Sequence, residues 1–208
     1  MKPTKETYDE LDRAYGHFNK ALFGDALPSC IITMQRHKQA YGYFWGGTWS
    51  DARGTAIADE IALNPDHFRT RSAEAVLSTL VHEMCHLQQH HFGKPSRAGY
   101  HNREWGGMMK AVGLIPSATG EPGGPQTGQQ MTHFIEKGGA FEKACATLLA
   151  AGFSIPWQAL TGGDEATRKK KAASKTKYSC PCCGLNAWAK PDVRLVCGEC
   201  EEELAAAD

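Results

Sequence analysis

The sequence has no net charge: 23 Lys and Arg offset 23 Asp and Glu in 208 residues. A nucleic-acid role carried by the whole chain is thereby excluded, and any such role must come from a local patch. No apolar run approaches the roughly 18 residues needed to span a bilayer, so no membrane partner is expected. The opening MKPTKETYDELDRAYG lacks the apolar stretch of a secretory signal. We therefore expect a cytoplasmic protein, with nucleoid or nuclear association open to it, and reduced thiols. Internal repeats are lacking too, and nothing in the sequence calls for an organic cofactor.

What remains is an ordinary globular composition, 41% hydrophobic and 22% charged. Eight cysteines are present, and five of them crowd into residues 180–200. In a reducing compartment such crowding points to metal before disulfides. Cys30, Cys85 and Cys145 are scattered and read as buried structural thiols.

Along the chain, residues 6–23 have apolar side chains at helical spacing (Tyr8, Leu11, Tyr15, Phe18, Leu22), with Gly24 as a stop. Short strands are expected at 30–34, 40–49 and 54–65. A long helix follows from Ser72 as N-cap to Gly93, with Ala73, Val76, Leu77, Leu80, Val81 and Met84 as one core-facing stripe. Residues 101–114 read as another helix, 116–130 as a polar Gly/Pro-rich loop and about 140–151 as a helical segment. The fold class is therefore α+β.

The long helix contains LVHEMCHLQQHH, residues 80–91. His82 and His86 are one turn apart on one face, so their imidazoles can converge on one Zn²⁺ at about 2.0–2.1 Å per bond. Glu83 beside them can serve as general base to a water, the H-E-x-x-H arrangement. His90 lies roughly 12 Å from His82 along the axis and cannot join them. His90 and His91 read as solvated residues at the helix end, where cationic side chains suit the dipole. Two ligands are in hand, and a third must come from elsewhere. Downstream candidates are His101, His133 and the carboxylate of Glu104, and the break at Gly93–Pro95 lets the chain turn back toward the ion.

HEMCH followed by YHNREWGGMM resembles the SprT-like metallopeptidases, the family that includes Spartan. Their pattern is H-E-x-x-H and then, about fifteen residues on, H-x-x-E-[FW], met here by His101, Glu104 and Trp105. The resemblance extends to LFGDALP, YGYF and IALNPDHF and covers about residues 6–115. It implies a zincin-like metallopeptidase domain, helices packed on a small mixed sheet, with His82, His86 and His101 on a catalytic zinc and Glu83 as base. Glu104 and Trp105 are read as support and core packing. Tyr41, Tyr43 and Tyr100 are candidates for stabilising an oxyanion, with core packing the alternative for each, and the aromatic strand at 40–49 reads either as an edge on which a peptide adds or as an ordinary half-buried strand.

The C-terminus contains Cys180-x-x-Cys183 and, after thirteen residues, Cys197-x-x-Cys200. Two such knuckles make a closed tetrahedral site of four thiolates, hence a zinc ribbon holding a second, structural Zn²⁺, with AWAK and RLV as two short strands. Cys182 is left over as a spare thiol. So small a module has too little core to fold without its metal.

Between the two lies RKKKAASKTK, 168–177, rich in charge of one sign. Lys169, Lys170, Lys171, Lys175 and Lys177, with Trp188 as a stacking ring, form the candidate nucleic-acid surface, suited to single-stranded DNA. The expected organisation is a SprT-like catalytic domain at 1–116, a loop and helical segment of unassigned role at 117–166, a basic linker at 167–177 and a four-cysteine zinc ribbon at 178–204. The expected function is zinc-dependent hydrolysis of peptide bonds in protein substrates, including proteins bound or crosslinked to DNA. The competing reading is a non-catalytic DNA-binding or regulatory zinc protein.

Overall fold

The computed structural model describes residues 2–38, 40–160 and 175–207. Lys169, Lys170 and Lys171 lie outside the described residues. The chain divides into two compact units, 1–160 and 161–208, each described by itself.

The first unit opens with helix α1 (Pro3–Phe23). It starts three residues earlier than its apolar periodicity suggested, because Pro3 is preorganised for a first helical turn and loses no hydrogen bond there. It stops at Gly24, whose left-handed backbone (φ 63°) lets the Asp25 and Gly24 amides fold back onto the Asn19 carbonyl. Strands β1 (Ile31–Met34), β2 (Gly42–Ser50) and β3 (Ile57–Leu63) form one sheet in the order β1-β3-β2. β1 runs parallel to β3 and β2 antiparallel to it, which makes the sheet mixed. β2 is an edge strand and its pairing slips between Trp45 and Trp49, a bulge at Gly46–Gly47.

Helix α2 (Ala73–Phe92) is capped by the Ser72 hydroxyl, which accepts from the Ala75 amide, an arrangement that stabilises by about 1 kcal/mol. The sequence suggested a single apolar stripe. Instead every residue from Val76 to Cys85 is buried, because α2 packs against β2, β3, α1, α3 (Arg103–Ala111) and α4 (Ala140–Ala150). A helix enclosed on all sides is the backbone of a core rather than its cover. Its Leu80, Met84 and Leu87 meet Phe18 of α1, Ile61 of β3, Trp105 and Met109 of α3 and Phe141 of α4 in one cluster.

The segment after residue 116 is also part of this unit. β4 (Leu114–Ser117) pairs antiparallel with β5 (Thr132–Ile135), and α4 packs on α1. Phe141, Cys145 and Leu148 of α4 are core residues. Among the described residues no helix is long and apolar enough to cross a membrane.

The second unit holds three short strands in the order β7-β6-β8: β6 (Thr176–Ser179), β7 (Asn186–Ala189) and β8 (Ala205–Ala207). AWAK supplies most of β7, but RLV (residues 194–196) forms only a single bridge, Val196 to Glu203. Lys177, expected in the linker, lies within β6. The core of this unit is Tyr178, Cys180, Cys197 and Leu204, half of it thiols.

Candidate metal centres

The local helix geometry of α2 stacks His82 and His86 with ring centroids 5.2 Å apart. His101 enters from the residue pair preceding α3, with its ring 5.8 Å from His82 and 4.9 Å from His86. A nitrogen from each of the three lies within 4.8 Å of the other two. His133 is not one of that group, and neither is Glu104.

Each neighbour of the triad has a definable task. His101 Nδ1 donates to the Gly128 carbonyl (3.2 Å), and its backbone exchanges two more hydrogen bonds with Gly128. That fixes its tautomer and leaves Nε2 as the lone-pair atom. His82 Nδ1 lies 3.1 Å from His133 Nδ1, and His133 Nε2 lies 2.9 Å from Ser78 Oγ. With the His82 Nδ1–H donating, His133 Nε2–H donates to Ser78, whose hydroxyl donates to the Ala75 carbonyl. His82 Nε2 is then free to act as a ligand. Trp105 is wholly buried beneath all three rings, stacked on His86 at 5.0 Å and edge-on to His101 at 4.4 Å. Glu104 accepts from Gln89 Nε2 and the Lys94 amide, which ties the end of α2 to the start of α3.

The chemistry of the donor set suits a cation such as Zn²⁺. Burial holds His82 well below the ordinary imidazole range, helped by His133, His86 and His101, and takes His86 down to about 3. Burial lowers His101 as well, against the opposing pull of the Gly128 carbonyl. Neutral imidazoles are the ligand form. Glu83 is buried too, and desolvation alone pushes its carboxyl up to about 8. A cation close by would favour its ionised form.

These groups form the floor of a cleft of about 970 Å³. One wall is β2 with Tyr41, Gly42, Tyr43 and Phe44, and the other is the loop 95–101 with residues 129–133. Gly42 brings β2 close to α2 beside Glu83: a Cβ there would sit 2.9 Å from Thr79 Cγ2 and 3.3 Å from Glu83 Oε1. Tyr41, Tyr43 and Tyr100 all line the cleft.

The model of the SprT-like family matches residues 11–123, which is more than half of the chain. The chain belongs to the SprT-like family. That family's domain is metallopeptidase-like, and the matched span contains His82, Glu83, His86 and His101 but ends before Gly128 and His133. A further similarity is to an uncharacterized protein from the mucB 3′ region of Salmonella typhimurium, 63% identical over 41 residues. The match covers 20% of this chain and 55% of that relative, so the chain spans about half the relative's length.

In the second unit one sulfur from each of Cys180, Cys183, Cys197 and Cys200 lies within 4.8 Å of the other three. The Cys183 amide, against the opposing effect of burial and aided by the Cys182 amide, draws the Cys180 thiol down to about 7. Amides that stabilise a thiolate are what a metal-binding knuckle requires, and four thiolates fit Zn²⁺. Cys182 is exposed and stands outside the cluster. Chelating the full-length chain should therefore erase hydrogen-exchange protection of the amides in β6. Protection that survived chelation would show that Tyr178 and Leu204 suffice as a core.

The sequence offers His133 as a candidate ligand and assigns residues 117–166 no other chemistry, yet Gly128 and His133 from this segment orient two of the three imidazoles. A histidine in a strand at a half-buried position is no signal by itself. Only the pairing of β5 with β4, which follows α3 directly, brings His133 to His82.

The buried imidazoles also set an acid limit. Burial, and then Arg71, lowers His133 to about 4. Unfolded imidazoles gain protons as pH falls through about 6.5, while His86 and His133 stay neutral in the folded chain. Going from pH 7 to 5 should thus cost the metal-free protein about 2 kcal/mol for each of the two, with His82 acting in the same direction. Glu83 works oppositely, since its raised folded pKa favours folding at lower pH, and regains on the order of 2–3 kcal/mol over that interval. The expected net result is a loss of a few kcal/mol, read from denaturant unfolding at the two pH values. Equal or greater stability at pH 5 would contradict the burial of neutral imidazoles.

Proposed function

We propose that the chain is a zinc-dependent peptidase with a zincin-like catalytic domain, hydrolysing peptide bonds in protein substrates. One observation carries the reading: a buried carboxyl, Glu83, stands beside three neutral imidazoles at the floor of a cleft open along an edge strand. A structural metal site needs its ligands but has no use for an ionisable group at that place.

His82, His86 and His101 would hold the catalytic Zn²⁺, and Cys180, Cys183, Cys197 and Cys200 the structural one. Zn²⁺ bound by three neutral imidazoles supplies a Lewis acid that acidifies water and polarises a carbonyl. Glu83 takes the proton of the attacking water and passes it to the leaving amine. Gly128 and His133 hold His101 and His82 in the tautomers that leave Nε2 free. β2 offers its unpaired edge to an extended substrate, which then lies across the cleft as an added strand.

The partner we favour is a protein bound or crosslinked to DNA. Lys177 and Trp188 are direct cross-strand neighbours in β6 and β7, and both are exposed, Trp188 at 62%. With Lys175 they place charge and a stacking ring together, as single-stranded DNA requires. Arg194 is less available, since it pairs with Glu203 at 3.2 Å.

The test is cleavage of casein and of a DNA-binding protein by the full chain, with and without single-stranded DNA and with and without chelator. Cleavage lost on chelation and restored by Zn²⁺ supports the peptidase reading. Two bound metals with no cleavage of any substrate would favour the non-catalytic zinc protein, and DNA that neither binds at low salt nor alters the rate would remove the proposed partner.

A further inference from the structure

Helix α2 ends in His90-His91-Phe92, a pair of adjacent imidazoles just over one turn beyond His86. They are not simply solvated. Both face Asp59, a carboxylate buried in β3, the middle strand of the sheet, with only 8% of its side chain exposed. A buried carboxylate is costly unless its oxygens are engaged. Asp59 Oδ2 lies 2.6 Å from His91 Nε2, and Oδ1 accepts from the Gly47 amide at 2.7 Å and lies 4.0 Å from His90 Nε2. Burial raises the Asp59 carboxyl, but the His91 hydrogen bond and the Gly47 amide more than offset this, so it remains ionised at neutral pH.

The surrounding chain is shaped to this arrangement. The β2 bulge puts Gly46 directly against the His90 ring, where a Cβ would come within 2.6 Å of it. The Phe44 ring lies 5.5 Å from His90 on another side. The two imidazoles stand perpendicular (88°), so they approach the carboxylate from different planes. A nitrogen from each and an Asp59 oxygen lie within 4.8 Å of one another. Bonds of about 2.0–2.2 Å hold neighbouring ligand atoms roughly 3–4 Å apart, so a modest rotation of His90 closes the set. His90 is free to make it, with 42% of its side chain exposed. An imidazole brings a lone pair that an ammonium or guanidinium lacks, and the negative end of α2 adds to the attraction for a cation.

We propose that Asp59, His90 and His91 form a further divalent metal site, distinct from the triad and the four-cysteine cluster, which clips the end of α2 to the β2–β3 hairpin. Two imidazoles and one carboxylate suit first-row transition ions such as Zn²⁺, Co²⁺ or Ni²⁺ rather than Mg²⁺ or Ca²⁺. The clip joins the helix that carries His82, Glu83 and His86 to β3, whose Asp59 also holds the Gly47 amide of β2, the strand that walls the cleft. Its occupancy therefore holds β2 against α2 and sets the width between them. None of this depends on the peptidase reading.

The experiment titrates chelated, full-length protein with Zn²⁺, and separately with Co²⁺, counting bound ions per chain after gel filtration. The wild type should bind three Zn²⁺ and a His90→Gln/His91→Gln variant two. A His82→Gln/His86→Gln variant should lose the catalytic ion alone and keep the site at Asp59, which separates failure of this proposal from failure of the peptidase reading. The third equivalent of Zn²⁺ should raise the thermal midpoint of the wild type beyond that of the two-ion state, and the His90→Gln/His91→Gln variant should show no such further rise. Asp59→Asn is a supporting arm only, because that residue is buried and its loss could disturb the hairpin directly. Equal stoichiometry and equal thermal response in the wild type and the His90→Gln/His91→Gln variant overturn the proposal.

Discussion

Replacing Glu83 by Gln is expected to lower peptide hydrolysis by about 10²–10⁴-fold while both the histidine and the cysteine sites stay loaded with metal. Gln has nearly the shape of Glu and can fill the same buried position, but it cannot take a proton from water. The triad nitrogens belong to His82, His86 and His101 and are untouched by the change. Folding should not suffer either, because burial already opposes the Glu83 charge and pushes its carboxyl to about 8. Metal content by mass spectrometry and cleavage rate must be read together, since loss of metal would mimic loss of the base. A Glu83→Gln protein that cleaves at close to the wild-type rate would end the proposed mechanism.

Trp105→Ala is expected to be the most damaging single truncation, costing about 3–5 kcal/mol. Trp105 is wholly buried and lies against all three imidazoles, with centroids 4.9 Å from His82, 5.0 Å from His86 and 4.4 Å from His101. The cavity left by its removal would lie directly under the triad, so metal affinity should fall along with stability. Its indole N–H is buried without a partner among the described residues. Trp105→Phe removes that N–H and keeps a ring against His86, so it should lose much less of both. Denaturant melts of the three proteins, with metal retention during dialysis, give the comparison. A Trp105→Ala chain within about 1 kcal/mol of the wild type would show that the imidazoles are held by α2 and Gly128 alone.

The parts of this protein legible in the sequence are those with local causes. His82 and His86 meet because four residues make about one helical turn, and that holds for any neighbours they have. The pairing of Cys180 with Cys183 and of Cys197 with Cys200 is equally local, as is the helix start at Ser72. By contrast, spacing alone left His101, His133 and Glu104 all open as the third ligand, and His101 was singled out by likeness to a family. The structure brings His101 to the triad and gives His133 and Glu104 other tasks. The amphipathic stripe assigned to α2 understated its burial, because an apolar pattern records which face must be covered but not how many elements cover it.

Composition and periodicity by themselves determined an α+β chain with His82 and His86 on one helix and a cysteine-rich end, since helical turns and knuckles need only neighbours a few residues away. Tertiary structure decided the rest. It returned Gly128 and His133 to the imidazoles through the β4–β5 pairing, put Trp105 beneath the rings of α2, and set Asp59 opposite His90 and His91. These meetings span 27 positions between His101 and Gly128, 51 between His82 and His133, and 32 between Asp59 and His91. At such separations contact depends on how whole elements pack, and no repeat in the sequence encodes it.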